Sequence, residues 1–355
     1  MVKVKRNRVE WIESLKLLAA LLVFTTHFLA EFEPDWLAPW REGHILYGVS
    51  GKLAVSLFFV MAGFFAMKVK KENAWQYIAK RYFRFMIPVL LIEIVVFCMM
   101  AGFKLIEVDA WLPANMTGKY ISAYHTEYRM FLWDIFLLDG RVILTYWCNI
   151  MLFLGPVMVM LLHGLYEGKG TKRGKASWIR AAIFFGIPAF IALLMGYVWY
   201  SICMIGAVLY LLVQDERGAF KKWGIRIGLV AVLYFCIRTP ETNAGYLCKG
   251  VASACLLLLV FYSKTMQDML ENRFCKALSK YSFEIYLLHM PVNLMIISFM
   301  FGFLENMGIN RGVILLITYV LSIALTVLFS IGIQSMSAKI LKVLFEGRER
   351  KSIPV

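Results

Sequence analysis

Charge is scarce in this 355-residue chain: 17% of it is Asp, Glu, Lys or Arg, against 61% hydrophobic, with a mean hydropathy of +0.69. Soluble domains are about a quarter charged, so a water-facing globule is excluded, as are disorder and fibrous repeats. The seven cysteines are scattered and form no CxxC pair, which leaves a zinc or redox framework without ligands. Neither HExxH nor GxSxG occurs, so a zinc hydrolase and an elbow serine lack support. The basic stretch at 168–176 looks like a phosphate loop. Its framing glycines, Gly168 and Gly174, are one residue too far apart, and Ala176 stands where magnesium needs Ser or Thr. What remains is an all-α polytopic membrane protein.

Apolar runs cover residues 11–30, 49–67, 83–102, 142–165, 179–213, 225–237, 246–262, 281–303 and 313–344. Most are about 20 residues, enough to cross ~30 Å of hydrocarbon. The run at 179–213 is too long for one crossing and has a turn signal at Met195-Gly196-Tyr197. The net charge of +15 needs no nucleic acid to explain it, because Lys and Arg collect in cytoplasmic loops. Lys3, Lys5, Arg6 and Arg8 precede the first span, and basic clusters follow at 68–84, 169–180, 214–226, 263–280 and 348–351. These alternate correctly only if the long run splits at Gly196. The expectation is therefore about ten transmembrane helices with the N- and C-termini cytoplasmic, in one integral membrane domain over residues 1–355. Residues 1–10 and 346–355 are its tails. Residues 103–141 form an extracytoplasmic loop, with a short re-entrant or interfacial helix at 130–138. The basic-then-apolar N-terminus reads as a retained first helix rather than a cleaved signal.

Charged groups inside spans are costly, so each is a candidate for function. They are Glu13, Lys16, His27, Glu93, Glu284 and His289. Lys16 and His27 are eleven residues apart, which places them within about 20° on one helix face and roughly 16 Å apart along its axis. Glu13 is one turn before Lys16, a spacing suited to an ion pair. Arg81 and Arg84 lie three apart before a span, where two guanidiniums suit a phosphorylated ligand or simple positive-inside anchoring. Near the other end of the chain, Glu284, Tyr286 and His289 precede Pro291, which frees a backbone carbonyl.

Three blocks, in order, resemble the acyltransferase-3 family of integral membrane acyltransferases. They are Glu13-Ser-Leu-Lys16 with His27 after ten spacers, the 57–64 block (Leu-Phe-Phe-Val-Met-Ala-Gly-Phe) with Arg81 and Arg84-x-x-x-Pro88, and the 281–291 block holding His289. Lys16 replaces the commoner Arg, and Ala62 stands where many members carry Ser. The block with Trp147 and Asn149 lacks a downstream Glu. The resemblance implies transfer of an acyl group, typically acetyl, from cytoplasmic acyl-CoA to a hydroxyl of an extracytoplasmic envelope glycan or lipid-linked sugar. It implies the lipid bilayer, acyl-CoA and a glycan as partners, no metal, and a bacterial cytoplasmic membrane. Arg81, Arg84 and Lys16 would hold the phosphates, and His27 would act as general base or nucleophile. His289 would orient the acceptor or carry its proton. A proton-coupled carrier is the rival, since ten spans with buried Lys, Glu and His also describe carriers. Inverted repeats would make residues 1–178 echo 179–355, and they do not.

Overall fold

Without water to bond to, a backbone in hydrocarbon must satisfy its own amides, and long apolar runs therefore coil into helices. The computed structural model describes residues 10–30, 45–69, 74–105, 136, 147–167, 179–214, 223–237 and 242–346. Among them all regular structure is helical. The helices are α1 (Glu10–Ala30), α2 (Ile45–Ala66), α3 (Ala74–Leu105), α4 (Trp147–Glu167), α5 (Ile187–Leu194, entered through a π-helical turn at Ala182–Gly186), α6 (Val198–Gln214) and α7 (Trp223–Ile237). There follow α8 (Asn243–Tyr262), the short α9 (Lys264–Leu270) and α10 (Arg273–Ser279), then α11 (Ser282–Asn306) and α12 (Arg311–Glu346). The expected interfacial helix at 130–138, apart from residue 136, and the two tails, apart from Glu10 and Glu346, lie outside the described residues. Lys104, expected in the loop that begins at 103, is instead in the last turn of α3.

The expectation of about ten crossings is overturned. Among the described residues, four helices are long and apolar enough to cross a membrane: Glu10–Ala30, Cys148–Tyr166, Asn243–Tyr262 and Arg311–Phe345. Four more are apolar but have only 10–17 residues: Gly51–Ala66, Ile179–Leu194, Val198–Val213 and Ser282–Ile297. An apolar run in sequence is not yet a helix of spanning length. The run at 225–237 lies in the 15-residue α7, roughly 22 Å long. Helix α3 has length, with 32 residues, but carries Lys80, Arg81, Arg84, Glu93 and Lys104.

The long run at 179–213 does break at Gly196, whose φ is +82°. There the Tyr197 amide donates to the Ala192 carbonyl at 2.8 Å and the Gly196 amide to that of Leu193 at 3.1 Å. This is the Schellman pattern, which needs a left-handed residue and so favours glycine. Ser201 Oγ reaches back to the Ala189 carbonyl at 2.6 Å and ties α6 to α5.

The chain forms two compact units. The first comprises Met1–Thr26, His44–Lys71 and Gly155–Phe283; the second comprises His27–Gly43, Glu72–Leu154 and Glu284–Val355. In the first, α6 and α8 pack on α2 and on each other. The approach of α2 and α6 is backbone to backbone: a Cβ on Gly63 would lie 1.9 Å from the Cys203 carbonyl oxygen, and one on Gly206 would lie 2.1 Å from that of Val60. Small residues at such a crossing let helices without a hydrophobic driving force gain contact area. Ser253 Oγ donates to the Leu53 carbonyl at 3.1 Å and fixes α8 against α2. Thr242 caps α8, Ser263 caps α9 and Asn272 caps α10.

In the second unit α12 packs on α3. Along α12, Thr318, Ser322, Thr326 and Ser330 recur every fourth residue and are all buried, while Leu316, Val320 and Leu328 are exposed. The small polar row faces protein, and the large apolar row is where lipid would lie. Replacing Gly63 by Val should cost about 3 kcal/mol through overpacking. Purified Gly63→Val should accordingly melt well below the wild type in detergent or fail to fold, and an unchanged melting temperature would contradict the crossing.

Candidate functional site

The second unit brings two imidazoles together. His27 is half-buried near the end of α1, and His289 is fully buried in α11. Their ring centroids are 5.1 Å apart, with the planes at 43°. The His289 Nδ1 hydrogen-bonds the carbonyl of Tyr286 one turn earlier. A carbonyl can only accept, so Nδ1 carries the hydrogen and Nε2 the lone pair. That Nε2 is buried and makes no hydrogen bond among the described residues. The Tyr286 ring centroid lies 5.6 Å from that of His289, with the planes at 41°. Pro291, inside the same helix, has no amide hydrogen and withholds the helical donor from the Leu287 carbonyl.

One turn beyond His289 stands Asn293, fully buried, with neither amide atom hydrogen-bonded among the described residues. A buried amide left unbonded costs about 1–3 kcal/mol. Such a group matches a ligand carbonyl or amide. The sequence reading passed over Asn293 because it is uncharged and lies just beyond the 281–291 block. Its i+4 spacing from His289 was the available signal.

Arg81 and Arg84 are not equivalent. Arg81 donates through Nη2 to the Leu152 carbonyl at 2.5 Å and through Nη1 to the Tyr77 hydroxyl at 3.2 Å. Its guanidinium lies 5.2 Å from the Phe85 ring centroid and 5.9 Å from that of Tyr77. It clamps α3 to the first turns of α4. Arg84 is exposed, and its charge acts on the buried Glu284 of α11. Glu93 is buried in α3 and Asn149 in α4, where the Asn149 amide makes no hydrogen bond among the described residues. Trp147 opens α4, but its side chain lies outside the description.

In the first unit Lys16 pairs with Glu13 at 3.0 Å, as the spacing predicts. Its ammonium also lies 5.7 Å from the Phe65 ring centroid. Lys68, just past α2, faces the same ring at 5.1 Å and Phe64 at 5.5 Å. Burial lowers the Lys68 ammonium below its ordinary 10.5. Beside it is a cavity of about 190 Å³ lined by Trp11, Ile12, Phe64, Phe65, Lys68, Leu257, Phe261 and Gln267. Lys68 was legible in sequence only as a marker of loop charge. Among the described residues no three His, Cys, Asp or Glu side chains converge as metal ligands would.

The family model described as "Acyltransferase domain", that of the acyltransferase-3 family, matches residues 9–334. The chain belongs to this family and is an integral membrane protein. No curated protein and no solved structure gives a significant match.

The different settings of the two arginines have separate consequences for stability. Arg81→Ala removes two charge-assisted hydrogen bonds, each worth about 1.5–3 kcal/mol, and should lower the melting temperature by several degrees. Arg84→Ala should leave it unchanged within error. Equal melting of the two variants would contradict the clamp.

Proposed function

We propose that this protein is a membrane O-acyltransferase of the bacterial cytoplasmic membrane, moving an acyl group, typically acetyl, from cytoplasmic acyl-CoA to a hydroxyl of an extracytoplasmic glycan or lipid-linked sugar. The observation that carries the reading is the contact between His27 and His289, with the tautomer of His289 set by the Tyr286 carbonyl. In this mechanism the His27 imidazole takes the proton of the acceptor hydroxyl as its oxygen attacks the thioester carbonyl. The His289 Nε2 lone pair accepts a hydrogen bond from the resulting imidazolium and stabilises it. The Asn293 amide donates to the thioester oxygen as negative charge develops there. Collapse of the tetrahedral intermediate releases the CoA thiolate, which leaves with the proton that His27 holds.

In the second unit Arg84, on the helix that Arg81 fixes, is proposed to bind a phosphate of acyl-CoA; in the first unit Lys16 and Lys68 are proposed, by themselves, as phosphate-binding cations. Lys and Arg at a span end suit this role because phosphates are multivalent and remain outside hydrocarbon. Glu13 keeps Lys16 oriented through its ion pair. Glu93, Glu284, Tyr286, Trp147 and Asn149 are proposed as supporting residues of the second unit.

His27→Ala should reduce acyl transfer to a soluble glycan acceptor by about 10²–10⁴-fold, with expression and membrane insertion unchanged. Full activity in that variant would remove His27 from the mechanism, and solute uptake without acyl transfer in the wild type would favour a carrier. Lys68 adds a pH signature. Because burial lowers its pKa below 10.5, its charge is lost at a lower pH than that of an ordinary lysine. Apparent acyl-CoA affinity should therefore fall on the alkaline side, and Lys68→Arg should carry that fall to higher pH. An alkaline limb identical in both proteins would take Lys68 out of the binding site.

A further inference from the structure

The cavity of the first unit is built from the ends of three apolar helices. Trp11 comes from the first turn of α1, Phe64 and Phe65 from the last turn of α2, and Phe261 from the last turn of α8. Lys68, just past α2, and Gln267 of α9 supply its polar groups. A cavity at helix ends, unlike one at the middle of the hydrocarbon, is within reach of a water-soluble ligand.

Both polar side chains have capacity to spare. Gln267 donates through Nε2 to the Val260 carbonyl at 3.0 Å and to that of Phe261 at 2.8 Å. Carbonyls can only accept, so these two bonds use both amide hydrogens and fix which end of the amide is which. Its Oε1 is left as an acceptor and takes no hydrogen bond among the described residues. An ion pair between Lys276 and Glu10 joins α10 to the start of α1, so the segment that carries Gln267 is tied to both α8 and α1. Lys68 makes no ion pair with a carboxylate among the described residues. The Lys16 ammonium stands 5.7 Å from the centroid of Phe65, a ring of the same lining.

Together these groups describe one kind of ligand. An apolar cavity of about 150 Å³ admits a benzene. One of about 190 Å³ suits a group somewhat larger than a single ring, as a fused purine is. Four of the eight lining residues are Trp or Phe, side chains on which nucleobases stack. An alkyl chain would leave the Gln267 oxygen without a donor, at a cost; adenine carries an amine that supplies one. A phosphate on the same ligand gives Lys68 a counter-charge. We propose that this cavity binds an adenine nucleotide, the base donating its amine to Gln267 Oε1 and a phosphate pairing with Lys68. Identifying the nucleotide as the adenosine end of acyl-CoA rests on the acyltransferase reading; the adenine site itself does not.

The test uses the full chain in lipid nanodiscs. Adenosine 3′,5′-bisphosphate and guanosine 3′,5′-bisphosphate carry the same phosphates, but guanine presents a carbonyl where adenine has its amine. The adenosine compound should bind about tenfold or more tightly. Gln267→Ala should abolish that preference, whereas Lys68→Met should weaken both compounds about tenfold and leave the preference intact. Tighter binding of adenosine 3′,5′-bisphosphate than of AMP assigns the site to the coenzyme; AMP of equal or greater strength assigns it to a free nucleotide. Equal binding of the two bisphosphates by the wild type would overturn the site. So would an unchanged preference in folded Gln267→Ala, unchanged affinities in Lys68→Met, or binding of decanoate in place of both nucleotides. Should Gln267→Ala fail to fold, the wild-type comparison and Lys68→Met still decide it. Acyl transfer from S-acetyl-4′-phosphopantetheine, a donor without adenosine, reports on the acyltransferase reading separately.

Discussion

The hydrogen bond that His289 donates to the Tyr286 carbonyl governs what the buried histidines can do. It is made within one turn of α11, requires no other helix, and determines which ring nitrogen keeps its lone pair. Without it the imidazole could present either tautomer, and the contact with His27 would have no defined chemical direction. Burial then protects the arrangement, because water cannot compete for Nε2. Asn293, one turn further on, extends the same face with an amide that has both a donor and an acceptor to offer.

The two units solve a packing problem by different means. In the first, Gly63 and Gly206 let backbones touch, so α2 and α6 gain contact area at their crossing. In the second, a row of Ser and Thr on α12 does comparable work. Gly63 lies in one of the sequence blocks that define the family resemblance, and its role here is architectural. A motif residue can therefore be required because nothing larger fits at a helix crossing, even where it touches no substrate.

Much of this was legible in sequence, and what was missed had physical reasons. Helix class followed from apolar content, the Glu13–Lys16 pair from spacing, and the break at Gly196 from the length of its run. The crossing number did not follow, because hydropathy measures what a segment prefers and not how many residues its helix retains between turns. Arg81 looked identical to Arg84 in sequence; the Leu152 carbonyl, seventy-one residues away, sets it apart. Gln267 went unremarked since it is uncharged and lies outside every apolar run. Its place in the cavity beside Phe261 and Lys68 is a property of the tertiary fold alone.

The glycine turn at Gly196 also bears on the surrounding lipid. It stops α5 at Leu194 and starts α6 at Val198, so α6 has 17 residues, a rod of roughly 26 Å against a hydrocarbon layer of ~30 Å. None of the described side chains from Val198 to Val213 is exposed, so neighbouring helices shield that short rod from lipid. An element wrapped in this way can be shorter than the layer around it without drawing the headgroups inward.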